Sequence, residues 1–370
     1  MTGVKSISAS KKRRVFISDC EGPISKNDNA FELTSHFVPE GDRFFSLISR
    51  YDDVLADLVK RKGYKAGNTL KLILPFLRAY GVTDDKMRRF SSQSILLVRG
   101  ADEMLRFVNG IMPSFIISTS YEHYIFSVCE AVDFPKENVY CTKLNIDKYV
   151  LSEDEIAKLK SLRDEISRMP VIEIPKNAKT IDDLSRTDRS TVERFDEIFW
   201  EVIPEMAAGR MLEEVNPVGG YEKANAILDV VNRTGAKLSD VMYVGDSITD
   251  VEPFRLVRGG GGLTLSFNGN QYAIREAEIA VLSNHAIITS ALADVFNRFG
   301  RDALMNLARD WNLLSVKDYC SPELLERLRE LYPKISLKVE AITPSNRESL
   351  TKESVAFRKT VRGEAIGRLG

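Results

Sequence analysis

The chain has 370 residues, of which 44% are hydrophobic and 28% charged, and a formal net charge of −1. This composition is ordinary for a globular protein and gives no overall field that would favour nucleic acid or a membrane surface as a partner. No apolar run approaches the roughly 18 residues of a membrane span, and the N-terminus has no apolar stretch typical of a secretory signal. We therefore expect a cytoplasmic protein with one extended domain or two to three domains.

The first predicted elements follow a polar start of the chain. Residues 1–12 are rich in serine and lysine without periodicity, which predicts a mobile arm, and the basic run that ends at Arg14 is interpreted as its solvated flank. Residues 15–18, VFIS, have the composition of a strand buried in a parallel sheet. Over 31–95 apolar residues recur three and four apart, which predicts a helical cap insertion with a break at Pro75.

Strand and helix patterns then alternate through the predicted core. Its segments are 13–30, 96–142 and 215–300, and they combine short β-branched runs with amphipathic helices. Residues 143–214 interrupt the core as a second, charge-rich and mostly helical insertion. A helical C-terminal extension covers 301–370, and we expect its polar end to be loosely attached. The βα alternation predicts an α/β fold with a doubly wound parallel sheet.

Cysteine and histidine offer no cluster for a metal site or a disulfide framework. The four cysteines include no Cys-x-x-Cys pair, and the three histidines are scattered along the chain. Zinc is therefore not expected. His123 follows the second predicted strand and is considered as a substrate contact, although a helix-surface histidine is the simpler interpretation.

Two carboxylates, Asp19 and Glu21, directly follow the first predicted strand. Ligands of an open parallel sheet bind beyond the carboxyl ends of its strands, where Ser118 and Asp246 also lie. Side chains of an extended segment alternate, so Asp19 and Glu21 should point to the same side. Because two like charges at this spacing repel, the pair implies either a cation between them or a shared proton.

The segment VGDSITD adds two more carboxylates. Asp246 and Asp250 are four residues apart, so both should lie on one side of an opening helical turn. Hard oxygen ligands of this kind suit Mg²⁺, which keeps part of its water and also binds phosphate. The tripeptide GDS alone would equally fit a helix N-cap, so the interpretation depends on the motifs around it.

Four motifs occur in order along the chain: Asp19-x-Glu21 after the first strand, Ser118 after the second, Lys223 at the start of a helix, and GDSITD at 245–250 after the next strand. This ordered set resembles the haloacid dehalogenase (HAD) superfamily of phosphohydrolases and phosphotransferases. The resemblance covers the predicted core segments. The first motif, DCEGP, is similar to that of an archaeal group within this superfamily.

The resemblance implies a role for each matching residue. Asp19 would be the nucleophile that forms an aspartyl-phosphate, and Glu21 stands at the position of the acid/base. The implied catalytic residues are Asp19, Glu21, Ser118 and Lys223. The implied substrate-binding residues are Gly22, Ser118, Thr119 and Lys223. The implied Mg²⁺ ligands are Asp19, Glu21 through its backbone carbonyl, Asp246 and Asp250.

Glu21 departs from the family pattern, which normally has Asp at this position. The longer side chain keeps the carboxylic acid but displaces it, and a displacement of about 1 Å can cost on the order of 100-fold in rate. Two hypotheses therefore remain. The first is a Mg²⁺-dependent phosphatase, and the second is a non-catalytic protein that binds Mg²⁺ and a phosphorylated ligand or a partner protein on the same fold.

Two further patterns are weaker. YVGDSITD is similar to the first block of the Gly-Asp-Ser-Leu esterases, with Ser247 as nucleophile. However, the one later histidine, His285, lacks the Asp three residues earlier that those enzymes require. Glycines 259–262 are followed by a strand and not by the Lys-Ser/Thr of a phosphate loop, so they predict a connection.

Insertions cover the active site in members of the superfamily, and this chain has one in each usual place. A covered site favours a small phosphorylated metabolite over a phosphoprotein as substrate. The expected partner is therefore such a metabolite, with neither nucleic acid nor a membrane, and a homodimer is one assembly to consider.

Overall fold

A computed structural model describes residues 14–175, 177–367 and 369. The predicted arm, 1–12, lies outside the described residues. Seven strands form one sheet in the order β3-β2-β1-β4-β5-β6-β7. The strands are β1 Val15–Ser18, β2 Ser114–Tyr121, β3 Val139–Thr142, β4 Val241–Gly245, β5 Leu263–Phe267, β6 Ile279–Ser283 and β7 Leu337–Ala341.

Six of these strands run parallel, and β7 lies antiparallel beside β6. The predicted α/β fold with a doubly wound, mostly parallel sheet is therefore confirmed. Because β1 pairs with β2 on one side and with β4 on the other, the direction in which the chain adds strands reverses at β1. Open α/β sheets bind ligands in the crevice at such a point. The topology thus directs attention to the carboxyl ends of β1 and β4.

Helices cover both faces of the sheet and build the insertions. No helix in the described parts of the chain is long and apolar enough to span a membrane. The α-helices are α1 Asn29–Phe37, α2 Gly41–Asp53, α3 Thr69–Leu72, α4 Leu74–Ala79, α5 Asp84–Gln93, α6 Ala101–Ile111, α7 Glu122–Val132, α8 Glu153–Arg168, α9 Arg186–Glu197, α10 Gly209–Glu214, α11 Tyr221–Thr234, α12 Val251–Gly259, α13 Gln271–Glu276, α14 Ile287–Phe299, α15 Arg301–Arg309, α16 Leu313–Val316, α17 Pro322–Leu331, α18 Arg347–Arg362 and α19 Glu364–Gly367.

Two hydrophobic layers hold the sheet between its helices. Phe16 of β1 belongs to the layer that contains α6, α7 and α14, whereas its neighbours Val15 and Ile17 belong to the layer with α11 and α12. All three side chains are fully buried. Burial on both faces explains why this strand reads as a continuous apolar run instead of an alternating one.

The two insertions share one hydrophobic core that is separate from the layers of the sheet. Helices α1, α2 and α4 of the first insertion and α8 and α9 of the second contribute to it. Tyr51 of α2 stacks on Phe195 of α9 with ring centroids 4.8 Å apart, and its hydroxyl donates to Asp196 at 2.5 Å. The predicted break at Pro75 is present as an interruption at Ile73, between the end of α3 and the start of α4. Pro75 lies in the first turn of α4, where proline is tolerated.

The described residues of the C-terminal segment, 301–367 and 369, include elements that pack on the core. They contain the predicted helices and, in addition, the edge strand β7. Helix α18 packs on α13 and β6 through Leu350, which is 1% exposed. The expectation of a loosely attached end is therefore wrong for α18. The sequence misleads here because the buried face of this helix carries the polar residues Ser354 and Arg358.

Candidate active site

The carboxyl ends of β1 and β4 bring the first and the last motif together. Asp19 follows β1, and its backbone amide donates to the carbonyl of Val244 in β4 at 2.8 Å. Asp246 follows β4 and lies against Gly22 of the first motif. Gly22 has a φ of +108°, and a Cβ at this position would lie 2.1 Å from Asp246 Oδ2. The close approach of the two loops therefore requires glycine.

Lys223 compensates two buried carboxylates. It lies in the first turn of α11 and is completely buried, with Nζ 2.6 Å from Asp19 Oδ2 and 2.8 Å from Asp250 Oδ1. Burial alone would lower the pKa of Lys223, but the two carboxylates raise it, so the ammonium remains charged. Burial raises the pKa of Asp19 to about 7, against the opposing effect of Lys223.

Asp250 supports the groups around it. Its Oδ1 accepts from Lys223 and, at 2.6 Å, from the hydroxyl of Tyr243, while its Oδ2 accepts from the backbone amides of Asp246 and Ser247 at 2.8 and 3.0 Å. A carboxylate offers about four lone-pair positions, so these donors occupy them all. Burial opposes ionisation of Asp250, but Lys223 and these hydrogen bonds hold its pKa below the ordinary value. A direct bond from Asp250 to a metal would require one donor to leave.

The arrangement of acidic oxygens fits the Mg²⁺ that the resemblance implies. Asp19, Asp246 and Asp250 each offer an oxygen within 4.8 Å of the others, and all three residues are buried. Within the described chain, Asp246 Oδ1 accepts no hydrogen bond, which leaves it open to a cation. A few carboxylate oxygens, with water and phosphate completing the shell, are the ligands that Mg²⁺ prefers.

Glu21 lies two residues after Asp19 and lines the same cavity. Its Oε1 accepts the backbone amide of Asn29, the first residue of α1, at 2.7 Å. Burial raises the pKa of Glu21 well above its ordinary value, and the negative charge of Asp28 adds to the effect. A carboxylic acid that keeps its proton near neutral pH is suited to donate it to a leaving group.

A cavity of about 100 Å³ connects these residues. One water molecule needs about 10–15 Å³ on this measure, so the cavity can hold a phosphate with a small organic group. The core lines it with the predicted residues Asp19, Glu21, Ser118, Thr119 and Asp246. The insertion that lines it is the first one, with Phe45, Ser49, Asp52, Asp53, Gly67, Thr69 and Leu70. Residues of the first insertion therefore line the cavity, and the second insertion packs on the first through their shared core.

Strand β2 carries Ser118 and Thr119 to the cavity. The strand continues to Tyr121, beyond its predicted end, so both residues lie inside it. Ser118 is fully buried and accepts the backbone amide two residues on at 3.3 Å. The Thr119 hydroxyl has no partner among the described residues. His123 takes part in a different contact, because its Nε2 forms a hydrogen bond with Asp84 Oδ1 of the first insertion at 2.7 Å.

Two arginines of α18 reach the site and were not predicted. Arg358 and Arg362, whose side chains are both 4% exposed, donate from Nη1 to Asp246 Oδ2, Arg362 at 3.1 Å. Arg362 also donates to the carbonyls of Lys26, at 3.0 Å, and Asn27 in the loop before α1. The sequence contained a signal, since residues four apart lie on one face of a helix. That face consists of Leu350, Ser354, Arg358 and Arg362.

We expect Asp53→Asn to stabilise the protein most at alkaline pH. Burial, together with the adjacent Asp52, raises the pKa of Asp53 from 3.8 to about 7. Because the folded state then binds more protons than the unfolded state, stability falls as the pH rises between these two values. The gain in free energy of unfolding on substitution should be about 1–3 kcal/mol larger at pH 8 than at pH 4, as measured by urea denaturation. A gain independent of pH would contradict this assignment.

Comparisons with known proteins support the fold. No protein-family model matches the chain, and no curated protein matches its sequence. The solved structure of a gene product from Archaeoglobus fulgidus is 26% identical with a TM-score of 0.79, and the similarity covers 97% of this chain and 99% of that one. Apo phosphoserine phosphatase, at 12% identity and TM-score 0.38, and an analogue of its phospho-aspartyl intermediate, at 13% and 0.43, each match 73% of this chain and 93% of their own. These phosphatase similarities are too weak to argue for a function.

Proposed function

We propose that this chain is a Mg²⁺-dependent phosphatase of the HAD type, acting through an aspartyl-phosphate. The observation that carries the proposal is the buried pair of Asp19 and Lys223, 2.6 Å apart, with the carboxylic acid of Glu21 in the same cavity. An oxygen of Asp19 attacks phosphorus, and the bond from phosphorus to the ester oxygen breaks. Glu21 gives its proton to the departing oxygen.

The second half of the reaction returns the protein to its first state. Glu21, now a carboxylate, takes a proton from water, whose oxygen attacks the aspartyl-phosphate and releases phosphate from Asp19. Lys223 balances the charge of Asp19 throughout, and Ser118 offers a hydroxyl to a phosphoryl oxygen. Mg²⁺ held by Asp19, Asp246 and the Glu21 carbonyl would supply Lewis-acid stabilisation of the phosphoryl charge.

The size and cover of the cavity support a small phosphorylated metabolite as substrate. A volume of about 100 Å³ under a lid of hydrophobic and acidic side chains suits a soluble molecule of few atoms. A phosphorylated side chain on a folded protein would have to pass beneath this lid. We also propose that the protein acts in the cytoplasm and that its partner is such a metabolite, with neither a nucleic acid nor a membrane involved.

Release of inorganic phosphate from a panel of small phosphate esters tests the function. We expect at least one ester to be hydrolysed with Mg²⁺ present, with the rate lost in EDTA and recovered on adding Mg²⁺ again. Phosphopeptides and a folded phosphoprotein serve as comparison substrates. Hydrolysis at the same rate in EDTA would contradict the dependence on Mg²⁺. Hydrolysis of the phosphoprotein alone would contradict a small metabolite as substrate.

Glu21→Asp should lower the rate, although it restores the residue usual in the family. The backbone amide of Asn29 holds Glu21 Oε1 at 2.7 Å, so the site is built around the longer side chain. Shortening it displaces the proton donor by about 1 Å, for which we expect kcat to fall on the order of 10- to 100-fold. Steady-state kinetics on the best ester measure this change, and a rise in kcat would show that the longer side chain is a handicap.

A non-catalytic binding protein is the second candidate, and one observation favours it. Asp246 Oδ2 already receives two buried guanidinium groups, so the chain compensates this charge with its own residues. Such a site could bind a phosphate group without turning it over. A panel of esters that stays silent while phosphate and Mg²⁺ still bind would favour this candidate.

A further inference from the structure

Helix α18, near the C-terminus, is held against the core by several contacts. Strand β7 pairs with β6 and leads directly to this helix. Leu350 packs into a small apolar cluster with Ile274 and Leu282. One turn further on, the fully buried Ser354 donates its hydroxyl to the carbonyl of Gly269 at 2.6 Å. These contacts set the position of the next turn, which carries Arg358.

Arg358 has donors that the protein does not use. Its Nη1 donates to the side chain of Asp246 and, at 3.3 Å, to the carbonyl of the same residue. Its Nε is buried and has no hydrogen-bond partner among the described residues. Arg362 differs, since Nε, Nη1 and Nη2 all have acceptors. Buried polar groups nearly always have partners, so the free Nε–H of Arg358 calls for an acceptor.

Arg358 lines the active-site cavity, which is the nearest space that a ligand with such an acceptor could enter. Thr119 lines the same cavity and also has a buried, unpartnered hydroxyl oxygen. The other charged residues of the lining are carboxylates, apart from Arg362. Lys223 is not among the residues that line the cavity, and it already pairs with Asp19 and Asp250. An anion that enters this acidic space therefore finds its free cationic donor on Arg358.

We propose that Arg358, together with Thr119, binds the phosphate group in the active site, so that the C-terminal helix completes the phosphate-binding pocket. The proposal rests on the proposed function only in identifying the anion as phosphate. A guanidinium donates directional, charge-assisted hydrogen bonds to phosphate oxygens, for which the Nε–H is suited. Arg358 would thus link the phosphate to Asp246, with Nη1 donating to Asp246 and Nε donating to a phosphate oxygen.

Binding of inorganic phosphate to the full-length protein, measured by isothermal titration calorimetry with and without Mg²⁺, tests the proposal. Arg358→Gln should weaken phosphate binding about 10- to 100-fold, and Thr119→Val, which replaces the hydroxyl with a methyl group of similar size, about 3- to 10-fold. Lys359→Gln is the matched control, because it removes a positive charge from the next residue of α18. Its side chain is 32% exposed, and we expect less than a twofold change.

Two other outcomes would overturn the proposal. If Arg358→Gln binds phosphate like wild type but binds Mg²⁺ more tightly, the guanidinium competes with the cation for Asp246 and does not serve the anion. If neither ligand is affected, Arg358 is structural. Circular dichroism checks the fold, and should Arg358→Gln fail to fold, Arg358→Lys decides, because it keeps the charge without the Nε–H and should still weaken phosphate binding.

The same measurements separate this proposal from the proposed phosphatase activity. Phosphate binding that depends on Arg358 in a protein that hydrolyses no ester would support the pocket and refute turnover. Hydrolysis that depends on Asp19, with phosphate binding indifferent to Arg358 and Thr119, would support the phosphatase and refute the pocket. The titration needs no catalysis, so each hypothesis can fail on its own.

Discussion

Asp19→Asn should abolish phosphate release while leaving the protein folded. The amide has the size of the carboxylate but is not a nucleophile, so the aspartyl-phosphate cannot form. Removing a nucleophile of this kind costs on the order of 10⁴-fold or more in kcat. Burial raises the pKa of Asp19 to about 7, so replacing the charge should leave the free energy of unfolding unchanged or higher. Kinetics on the best ester and urea denaturation measure the two effects.

Asp53→Asn is the matched control for this variant. It makes the same chemical change in the wall of the same cavity, on a residue of the first insertion. Turnover should stay within about tenfold of wild type, because Asp53 has no role in the proposed bond changes. Mass spectrometry after rapid quenching should find a phosphoryl group on wild-type Asp19 and none on the variant. Retained activity in Asp19→Asn would contradict the aspartyl-phosphate mechanism.

The sheet and the position of the site could be predicted because their signals are local. A strand buried on both faces reads as a short apolar run, and in a parallel sheet the residues that follow such runs meet at one edge. Asp19 and Asp246 were therefore expected to be neighbours, although they are far apart in sequence. The backbone hydrogen bond from Asp19 to Val244 confirms this neighbourhood.

The sequence of neither insertion predicts that the two share one hydrophobic core. Each insertion has amphipathic helices whose apolar face needs a partner, but periodicity does not say which partner. The contact of Tyr51 with Phe195 and Asp196 joins two segments that are 145 residues apart in sequence, with the core segment 96–142 between them. For the same reason the sequence did not indicate which insertion faces the site, and in the structure residues of the first insertion line the cavity.

The sequence did not predict Arg358 and Arg362 at the site, because the signals of the site were carboxylates at strand ends. A buried helix face normally repeats apolar residues, and arginines on such a face look like solvated surface positions. The feature that distinguishes them is that they continue, in steps of four residues, the row that begins with the buried Leu350 and Ser354. An arginine in the register of a buried face must have an anionic partner, and here the partner is Asp246.

Lys223→Met should destabilise the protein by about 3–5 kcal/mol at pH 8 and abolish activity, because it leaves two buried carboxylates without their cation. Methionine has a similar length, so packing is largely retained. Nζ of Lys223 lies 2.6 Å from Asp19 and 2.8 Å from Asp250, and both partners are buried. Protonation can relieve the unpaired charges, so the loss should shrink at pH 5. Urea denaturation at the two pH values measures this.

A double-mutant cycle identifies the cause of that loss. Lys223→Met combined with Asp19→Asn removes one of the two unpaired charges, so the double variant should recover about 1–3 kcal/mol relative to Lys223→Met alone. Lys338→Met serves as the surface control: its ammonium pairs with Glu353 at 2.7 Å but is 39% exposed, and an exposed pair is worth at most about 1 kcal/mol. If the double variant were no more stable than Lys223→Met, lost packing and not unpaired charge would explain the effect.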